Sequence, residues 1–247
     1  MQLPMIDVKN LTVAYGTKLI QENLTFSVNE KEIFIIMGGS GCGKSSLLRV
    51  LMGLLEPSKG QVLFQGVDFW KNEKAQQDIL RSIGVMFQGG ALWTSRTLAE
   101  NIAIPLEQFT TLNTKQIKEI ARYKLSQVGL SGFENYYPSE ISGGMRKRAG
   151  IARALALDPR FVFLDEPSAG LDPVSSARLD ELILQLRDSL DMTILIVTHE
   201  LASIFAVADN AIWLDAKTKT MLAQGNPKEL LAHGPLVVQK FLKREAD

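Results

Sequence analysis

Apolar and polar residues follow two different spacings along this chain, and the first segment shows the strand spacing. Residues 6–28 hold two alternating patterns, Ile6-Val8-Leu11-Val13 and Leu24-Phe26-Val28, with Gly16 in the turn region between them. Alternation of this kind is typical of strands that bury one face. We therefore expect two antiparallel strands at the start of the fold.

Continuous apolar runs follow near 33–37, 83–87, 161–164 and 193–197, and stretches with helical spacing separate them. Short runs without polar alternation are typical of strands buried on both faces. Strands that alternate with helices predict a mostly parallel sheet covered by helices on both sides, so the predicted fold class is α/β. In such folds a ligand binds at the carboxyl ends of the strands.

Helical patterns dominate two other regions. Between Gln88 and Met145 the strand pattern stops, and residues 116–128 form a helical segment that Gly129 ends. We expect a helical subdomain over about 89–157, within one domain that spans 1–247. Near the end of the chain, Asn at the N-cap and Pro at N1 predict a helix from residue 226.

The segment His233-Gly234-Pro235 ends that helix and opens another, which predicts a helical tail over about 226–247. Four apolar side chains of the tail are candidates for docking on the domain or on a second subunit, and core packing is the favoured interpretation: Val237, Val238, Phe241 and Leu242.

Composition limits the class of protein. The chain has 247 residues, of which 46% are hydrophobic, enough for one domain with a large core. Its 27 basic and 27 acidic residues balance, so we expect no nucleic-acid partner. No apolar run approaches the roughly 20 residues that span a bilayer, and Met1-Gln2-Leu3-Pro4 resembles no signal peptide. We expect a cytoplasmic protein whose membrane attachment depends on a protein partner.

The single cysteine, Cys42, allows no intramolecular disulfide and no zinc cluster. It lies near a predicted helix N-terminus, where the helix dipole predicts a lowered thiol pKa and a reactive thiol if solvent reaches it. We interpret it as filling space in its loop rather than as a catalyst.

The apolar run at 33–37 leads directly into a G-x-x-x-x-G-K-S motif, Gly38-Gly39-Ser40-Gly41-Cys42-Gly43-Lys44-Ser45. Glycines let the backbone approach phosphate oxygens, and the helix predicted from Ser45 to Leu55 turns its N–H groups toward the anion. Lys44 is expected to reach the β and γ phosphates, and the Ser45 hydroxyl to bind Mg²⁺. The predicted phosphate-binding residues are Gly38, Gly39, Ser40, Gly41, Cys42, Gly43, Lys44, Ser45 and Ser46. A glycine-rich turn with a solvated lysine is the alternative.

Two further motifs place this loop in a family. Residues 161–166 form an apolar run that ends in the two carboxylates of Asp165 and Glu166, and residues 141–145 read Ile-Ser-Gly-Gly-Met. Alone, the carboxylates are compatible with solvated charge and the Ser-Gly-Gly with a helix cap. In this order they resemble the Walker B strand and the LSGGQ signature of ATP-binding cassette (ABC) ATPases. The resemblance covers about residues 5–230.

The resemblance implies roles for individual residues. Asp165 would hold Mg²⁺ and Glu166 would polarise the attacking water. Gln88 matches the Q-loop glutamine that senses Mg²⁺ and γ-phosphate, and His199 matches the switch histidine. Residues 168–172 match the D-loop, and Tyr15 matches the aromatic residue that stacks on adenine. Taken alone, Gln88 is compatible with an ordinary surface residue, His199 with a structural residue and Tyr15 with core or interface packing. The implied catalytic residues are Glu166, His199 and Gln88; the implied metal-binding residues are Ser45, Gln88 and Asp165; the cofactors are ATP and Mg²⁺.

The resemblance also implies partners and architecture. It predicts an antiparallel β subdomain beside a mostly parallel central sheet, with an inserted helical subdomain. The signature lies too far from the phosphate loop of its own chain to complete one site. Two copies are therefore expected to pair head to tail and to enclose two ATP molecules, with Ser142, Gly143 and Gly144 of one copy completing the site of the other.

A closer resemblance is to the ATPase subunits of Mla/Mce-type bacterial phospholipid transporters. It rests on Met145 in place of the usual Gln, with basic residues after it, and on the segments 87–93 and 100–106. It implies permease subunits, a periplasmic Mce-type lipid-binding protein, a possible small regulatory subunit and a place at the cytoplasmic face of the inner membrane. Candidate permease-groove residues are Ala91, Leu92, Trp93 and Leu98, with core packing as the alternative.

Two other functions stay open at this point. One is the ATPase subunit of an ABC transporter for another substrate, such as an amino acid or an antibiotic, because it shares every catalytic motif. The other is a non-transport ABC protein that acts on ribosomes or DNA. Such proteins usually fuse two ATPase domains or carry coiled coils and basic arms, and these features are missing from the sequence.

Overall fold

The structure is a computed structural model that describes residues 3–245, and within that range the chain forms ten strands and nine α-helices. The strands are β1 (Ile6–Tyr15), β2 (Lys18–Val28), β3 (Ile33–Gly38), β4 (Lys59–Phe64), β5 (Val67–Asp68), β6 (Ile83–Met86), β7 (Phe161–Asp165), β8 (Thr193–Val197), β9 (Asn210–Leu214) and β10 (Met221–Gly225). The helices are α1 (Lys44–Leu51), α2 (Glu73–Arg81), α3 (Leu98–Phe109), α4 (Thr114–Gln127), α5 (Gly143–Ala154), α6 (Pro173–Leu190), α7 (Leu201–Val207), α8 (Pro227–His233) and α9 (Leu236–Lys243).

A six-stranded sheet in the order β10-β9-β3-β8-β7-β6 forms the centre of the molecule. Five of its strands are parallel, and β10 pairs antiparallel with β9 at one edge. Every residue of β3 and β8 is buried, which explains why those strands read as continuous apolar runs. The predicted α/β class with a mostly parallel sheet is confirmed.

A second, antiparallel sheet in the order β2-β1-β4-β5 lies beside the first. The two strands predicted at the start of the chain pair as expected, with Ile6 opposite Val28 and Tyr15 opposite Lys18. Aromatic contacts join the two sheets, since the rings of Phe64 and Phe161 meet edge to face at 5.1 Å. The antiparallel sheet therefore shares a core with the central one.

Helices α3, α4 and α5 occupy the region between β6 and β7, where the sequence predicts helices. Asn113 caps α4 by accepting hydrogen bonds from the backbone N–H groups of Lys115 and Gln116, so α4 begins two residues before the predicted start. Helix α1 ends at Leu51 rather than at the predicted Leu55, because Gly53 follows with a φ of 76°.

The tail folds as two short helices against the domain. The Asn226 side chain accepts from the backbone N–H of Lys228 at the start of α8, as the Asn-Pro pair predicts. In α9, Val238 and Leu242 are buried, and the ring of Phe241 packs 4.7 Å from that of Trp213. Core packing is therefore the correct interpretation of this apolar face. The last two residues of the predicted tail lie outside the described residues.

Candidate active site

The phosphate loop connects β3 to α1 at the carboxyl edge of the central sheet. The Lys44 ammonium donates hydrogen bonds to the carbonyl oxygens of Gly38 and Gly39, at 2.8 and 3.1 Å. Gly43 is the N-cap of α1 in a left-handed conformation, and no side chain caps this helix. The N–H groups of the first turn of α1 are thus open to an anion, beside a lysine that already lies in the loop.

Two glycines of the loop cannot be replaced without rearranging their neighbours. Gly38 has a φ of 152°, and a Cβ there would lie 2.5 Å from the Cys42 Sγ and from the Leu214 carbonyl oxygen. Gly43 has a φ of 105°, and its Cβ would lie 2.5 Å from a methyl carbon of Ile20. The packing of this chain alone therefore requires glycine at both positions.

Cys42 differs from its predicted chemistry. Its side chain is only 2% exposed and fills the space beside Gly38. Burial raises the pKa of the Cys42 thiol, and the nearby Lys44 charge opposes this only in part. The predicted lowering of the thiol pKa is wrong, because desolvation of a buried thiolate outweighs the helix dipole.

Asp165 and Glu166 lie where β7 ends, at the same edge of the sheet as the phosphate loop. Burial is the main reason that the pKa of Asp165 is raised, and the charge of Glu166 raises it further. The Glu166 Oε2 atom is buried without a hydrogen-bond partner among the described residues. Two crowded carboxylates and an orphaned acidic oxygen fit a site that takes a cation and a water molecule.

His199 contacts Glu166 directly, although 33 residues separate them in the chain. The His199 Nδ1 and Glu166 Oε1 atoms are 2.8 Å apart. The contact forms because β7 and β8 are neighbouring parallel strands, so the residues that follow them meet at one edge. The Glu166 N–H donates to the Val197 carbonyl at 2.8 Å, which ties the two strand ends together.

Gln88 lies just beyond β6 on an exposed turn in which the Gly90 N–H donates to the Phe87 carbonyl. The guanidinium of Arg153, on α5, donates to the carbonyl oxygens of Gly90 and Ala91 at 3.0 and 2.7 Å. Helix α5 therefore holds the Gln88 turn in place. No motif singles out Arg153, and the signal that points to it is a basic residue between buried alanines on α5.

Tyr15 ends β1 and lies against the first turns of α1. Its hydroxyl accepts a hydrogen bond from Arg49 at 3.2 Å. A hydrogen bond with Ser46 is the main reason that the pKa of Tyr15 is lowered, and Arg49 adds to the effect. The structure thus brings Tyr15 to the helix that starts at the phosphate loop, and the ring stays partly exposed.

The signature forms the N-terminus of α5. Ser142 is the N-cap, and its Oγ accepts from the Met145 N–H at 3.2 Å. Gly143 and Gly144 have ordinary backbone angles, and a Cβ on either would meet no atom closer than 3.7 Å. Nothing in the single chain requires glycine at these positions.

An apolar groove of about 650 Å³ lies next to the Gln88 turn. The exposed side chains of Leu80, Phe87, Trp93 and Phe109 line it, together with the half-buried Pro105. Leu98, which the sequence places among the candidate groove residues, is fully buried in the core. That prediction is wrong for Leu98, because it is the first residue of α3 and points into the interior of the helical region.

Comparison with known proteins places this fold and site in one family. The profile of the ABC transporter family matches residues 21–169, which hold the phosphate loop, the signature and the carboxylate pair. This chain belongs to the ABC transporter family. Its resemblance to ABC ATPases is thereby confirmed.

Two sequence relatives and one solved structure illustrate what this ABC ATPase is similar to. It is 43% identical over 246 residues to the probable ribonucleotide transport ATP-binding protein mkl of Mycobacterium leprae, covering 98% of this chain and 70% of mkl. It is 39% identical over 244 residues to the intermembrane phospholipid transport system ATP-binding protein MlaF of Haemophilus influenzae, covering 98% of this chain and 92% of MlaF. The ATP-binding cassette MJ0796, solved as a dimer in a post-hydrolysis state with ADP and Pi, superposes with a TM-score of 0.79 at 28% identity, covering 90% and 98% of the two chains.

This ABC ATPase therefore binds and hydrolyses ATP as a transporter subunit. The predicted cofactor ATP and the predicted enzyme class are confirmed, and a permease partner follows from the family. Within residues 3–245, no helix has the length and apolar character that crossing a bilayer demands. The division of roles among the site residues stays a prediction.

Proposed function

We propose that this ABC ATPase drives a phospholipid transporter of the bacterial inner membrane that is linked to outer-membrane lipid asymmetry. The observation that carries the proposal is the 39% identity to MlaF across 98% of this chain, a protein named for intermembrane phospholipid transport. The segments 87–93 and 100–106, which resemble those of Mla/Mce-type ATPases, lie in or beside the apolar groove. Ribonucleotide transport is the second candidate, because the identity to mkl is 43%.

The phosphate loop holds the nucleotide in this proposal. The N–H groups of the loop and of α1 bind the β and γ phosphates, and Lys44 turns its charge from the loop carbonyls toward them. Ser45, Asp165 and Gln88, which lies on the exposed turn, are the residues that would hold Mg²⁺. When bound, Mg²⁺ neutralises phosphate charge. Tyr15 supports the adenine ring from the end of β1.

Glu166 and His199 act on the water. With the proton on Nδ1, His199 donates to the Glu166 Oε1 atom at 2.8 Å and fixes the orientation of the carboxylate. The buried Oε2 atom is left without a partner and accepts the proton of the attacking water. The His199 Nε2 atom, which lies 3.9 Å from the Glu200 Oε1 atom, is then the atom that contacts the γ-phosphate, since this side chain is largely exposed.

A second copy of the chain completes each site. The room around Gly143 and Gly144 lets another molecule approach the N-terminus of α5 closely. In a head-to-tail dimer that molecule is the nucleotide on the partner, and Ser142 with the two glycines binds its γ-phosphate. Closure of the dimer assembles the site and hydrolysis releases it, so the ATP cycle opens and closes the pair.

The apolar groove receives a helix of the permease. Trp93 is 56% exposed, yet its backbone is fixed, because Asn101 accepts from the Trp93 N–H at 2.7 Å and donates to its carbonyl at 3.1 Å. An exposed aromatic side chain on a fixed backbone is typical of an interface anchor. In the proposed complex two permease subunits hold two ATPase subunits at the cytoplasmic face, with a periplasmic Mce-type protein beyond them.

Purification of the tagged full chain from detergent-extracted membranes tests this function. We expect a multi-span permease and bound phospholipid by mass spectrometry. Trp93→Glu should lose the permease while the free chain still hydrolyses ATP. Tyr123→Glu is the matched control, an exposed aromatic on α4, and should keep the permease. A permease that carries nucleotides, amino acids or sugars, without bound phospholipid, would refute the lipid assignment.

A further inference from the structure

Lys147 is a buried lysine that the proposed chemistry does not use. It lies on α5, three residues after the signature glycine Gly144, and only 6% of its surface is exposed. Its ammonium donates a hydrogen bond to the backbone carbonyl of Glu166 at 3.0 Å. One side chain therefore joins the signature helix to the backbone of the proposed catalytic base.

Burial makes this charge costly, and the two carboxylates offset the cost. Desolvation lowers the pKa of Lys147, while the charges of Glu166 and Asp165 act in the opposite direction. Lys124, the other deeply buried lysine of the helical region, pairs directly with the Asp158 carboxylate. Lys147 instead places its charge behind a pair of acidic side chains that repel each other.

The backbone that Lys147 contacts has an unusual conformation. Glu166 has a φ of 49°, a left-handed angle that residues other than glycine rarely adopt. Its N–H donates to Val197, and its carbonyl accepts from Lys147 and from the Ala169 N–H at 3.3 Å. Of these three hydrogen-bond partners of the Glu166 backbone, Lys147 alone uses its side chain. A substitution of Lys147 therefore removes its hydrogen bond and leaves the other two in place.

We propose that Lys147 is a positioning residue through which the signature helix sets the orientation of Glu166 in the same chain. It holds the Glu166 carbonyl in the left-handed turn and keeps a positive charge beside the two carboxylates. Because the N-terminus of α5 contacts the partner's nucleotide in the proposed dimer, Lys147 links the state of one ATP site to the water-activating group of the other. This inference rests on the proposed role of Glu166.

Steady-state ATP turnover and direct nucleotide titration of the full chain test the inference. Lys147→Met keeps the length of the stem and removes the charge and the donor. We expect kcat to fall by about tenfold or more, with KM and ATP affinity changed less than about threefold. Lys147→Arg should recover most of the loss, because it restores both the charge and a donor.

Lys124→Met is the matched control, since it removes a buried lysine of the same helical region that pairs with Asp158, before the start of β7, and not with Glu166 at the end of that strand. We expect it to lower the melting temperature without lowering kcat more than about twofold. Should Lys147→Met fail to fold, Lys147→Leu, which also removes both the charge and the donor, is compared with Lys124→Met. An equal loss of kcat in the Lys147 and Lys124 variants, or no recovery with arginine, would overturn the inference.

A double substitution separates this inference from the proposed function. If Lys147 acts through Glu166, adding Lys147→Met to Glu166→Gln should change the residual single-turnover rate by less than about twofold. A further loss of tenfold would show that Lys147 acts elsewhere and would overturn the inference. Near-normal turnover by Glu166→Gln alone is a different result, because it refutes the proposed role of Glu166 itself.

Discussion

The phosphate loop and the signature are both glycine-containing helix N-termini, but this chain builds them differently. In the loop, Gly43 caps α1 with a left-handed backbone and no side-chain cap. In the signature, Ser142 caps α5 through its own hydroxyl, and Gly143 and Gly144 have ordinary angles. One N-terminus is left open by its own geometry, and the other is closed in part by its own cap.

The glycines of the phosphate loop and those of the signature differ in their packing within the chain. A Cβ at Gly38 or Gly43 would collide with neighbours in the same chain, whereas a Cβ at Gly143 or Gly144 would meet only ordinary contacts. The fold therefore explains the first pair, and the proposed approach of the partner's nucleotide would explain the second. In the proposed dimer, one chain provides the whole loop half of a site, and the signature half acts on the nucleotide of a second copy.

The largest expected effect comes from a variant in which the phosphate loop of one copy and the signature of the other stay together in a closed dimer. Glu166→Gln removes the proposed base but keeps the nucleotide contacts of both halves. We expect turnover to fall by on the order of a hundredfold or more, with ATP binding retained and a closed dimer trapped by ATP. Turnover assays and size-exclusion chromatography with ATP check this. A monomeric variant in saturating ATP would argue against a shared site.

Removal of the loop charge tests the half that one chain completes. Lys44→Ala deletes an ammonium that donates to the loop carbonyls of Gly38 and Gly39 at 2.8 and 3.1 Å. In the proposed site the loop binds the β and γ phosphates with groups of one chain, so we expect ATP affinity of the single chain to fall by at least about tenfold. Calorimetric titration measures this, and unchanged affinity would contradict the loop assignment.

Alanine at one glycine of each half compares the two directly. Gly43→Ala forces a Cβ against Ile20 and should destabilise the fold by about 1–3 kcal/mol. Gly144→Ala lies in a helix with room for a methyl group, so the free energy of unfolding should change by less than about 1 kcal/mol.

Turnover is the second measurement on this pair. We expect Gly144→Ala to lower ATP turnover by about tenfold, because the added methyl group separates the signature from the partner's nucleotide. Denaturant unfolding and ATPase assays on both variants provide the comparison. A fully active Gly144→Ala protein would mean that the signature glycines are not there to admit a second molecule.

The thiol of the loop half should be slow to react. Because burial raises the pKa of Cys42, the neutral thiol persists to higher pH than a free cysteine, and the reactive thiolate stays scarce at neutral pH. We expect native protein to react with a maleimide at least about tenfold more slowly than urea-unfolded protein. Mass spectrometry over a time course measures both rates. Equal rates would show that solvent reaches the loop interior.

The smallest effect concerns the polar network beneath the D-loop, beside the signature half. Buried Asp180 accepts a hydrogen bond from the Ser203 hydroxyl at 2.9 Å, and the hydroxyl oxygens of Ser203 and Ser168 are 3.3 Å apart. Burial raises the pKa of Asp180, with Ser203 opposing the rise. Such a group contributes stability below its unfolded pKa and loses it as pH rises through the folded pKa.

Asp180→Asn removes this dependence. At pH 7 we expect a gain of about 1 kcal/mol or less in the free energy of unfolding, which shrinks as the pH falls toward about 4. Chemical denaturation at several pH values measures the difference. A variant that is less stable than the parent at pH 7 would show that the ionised carboxylate is needed there.

Much of the fold and of the site was predictable from the sequence, because the signals are local. The alternation in β1 and β2, the apolar runs of β3, β6, β7 and β8, and the eight-residue phosphate motif each depend on neighbouring residues alone. The short edge strands β5 and β10 were not predictable. Two residues in β5, and a half-buried alternation in β10, carry too little hydrophobic signal to distinguish them from loops.

The tertiary structure decided those features that depend on contacts between residues far apart in the sequence. It placed His199 against Glu166 across neighbouring strands. It also placed Lys147 and Arg153 behind the site, on a helix for which the sequence motifs indicate only the signature. It also reversed the expected pKa of Cys42. A helix N-terminus is visible in the sequence, whereas burial depends on which residues fold over the thiol, and for a buried thiolate desolvation is the larger effect.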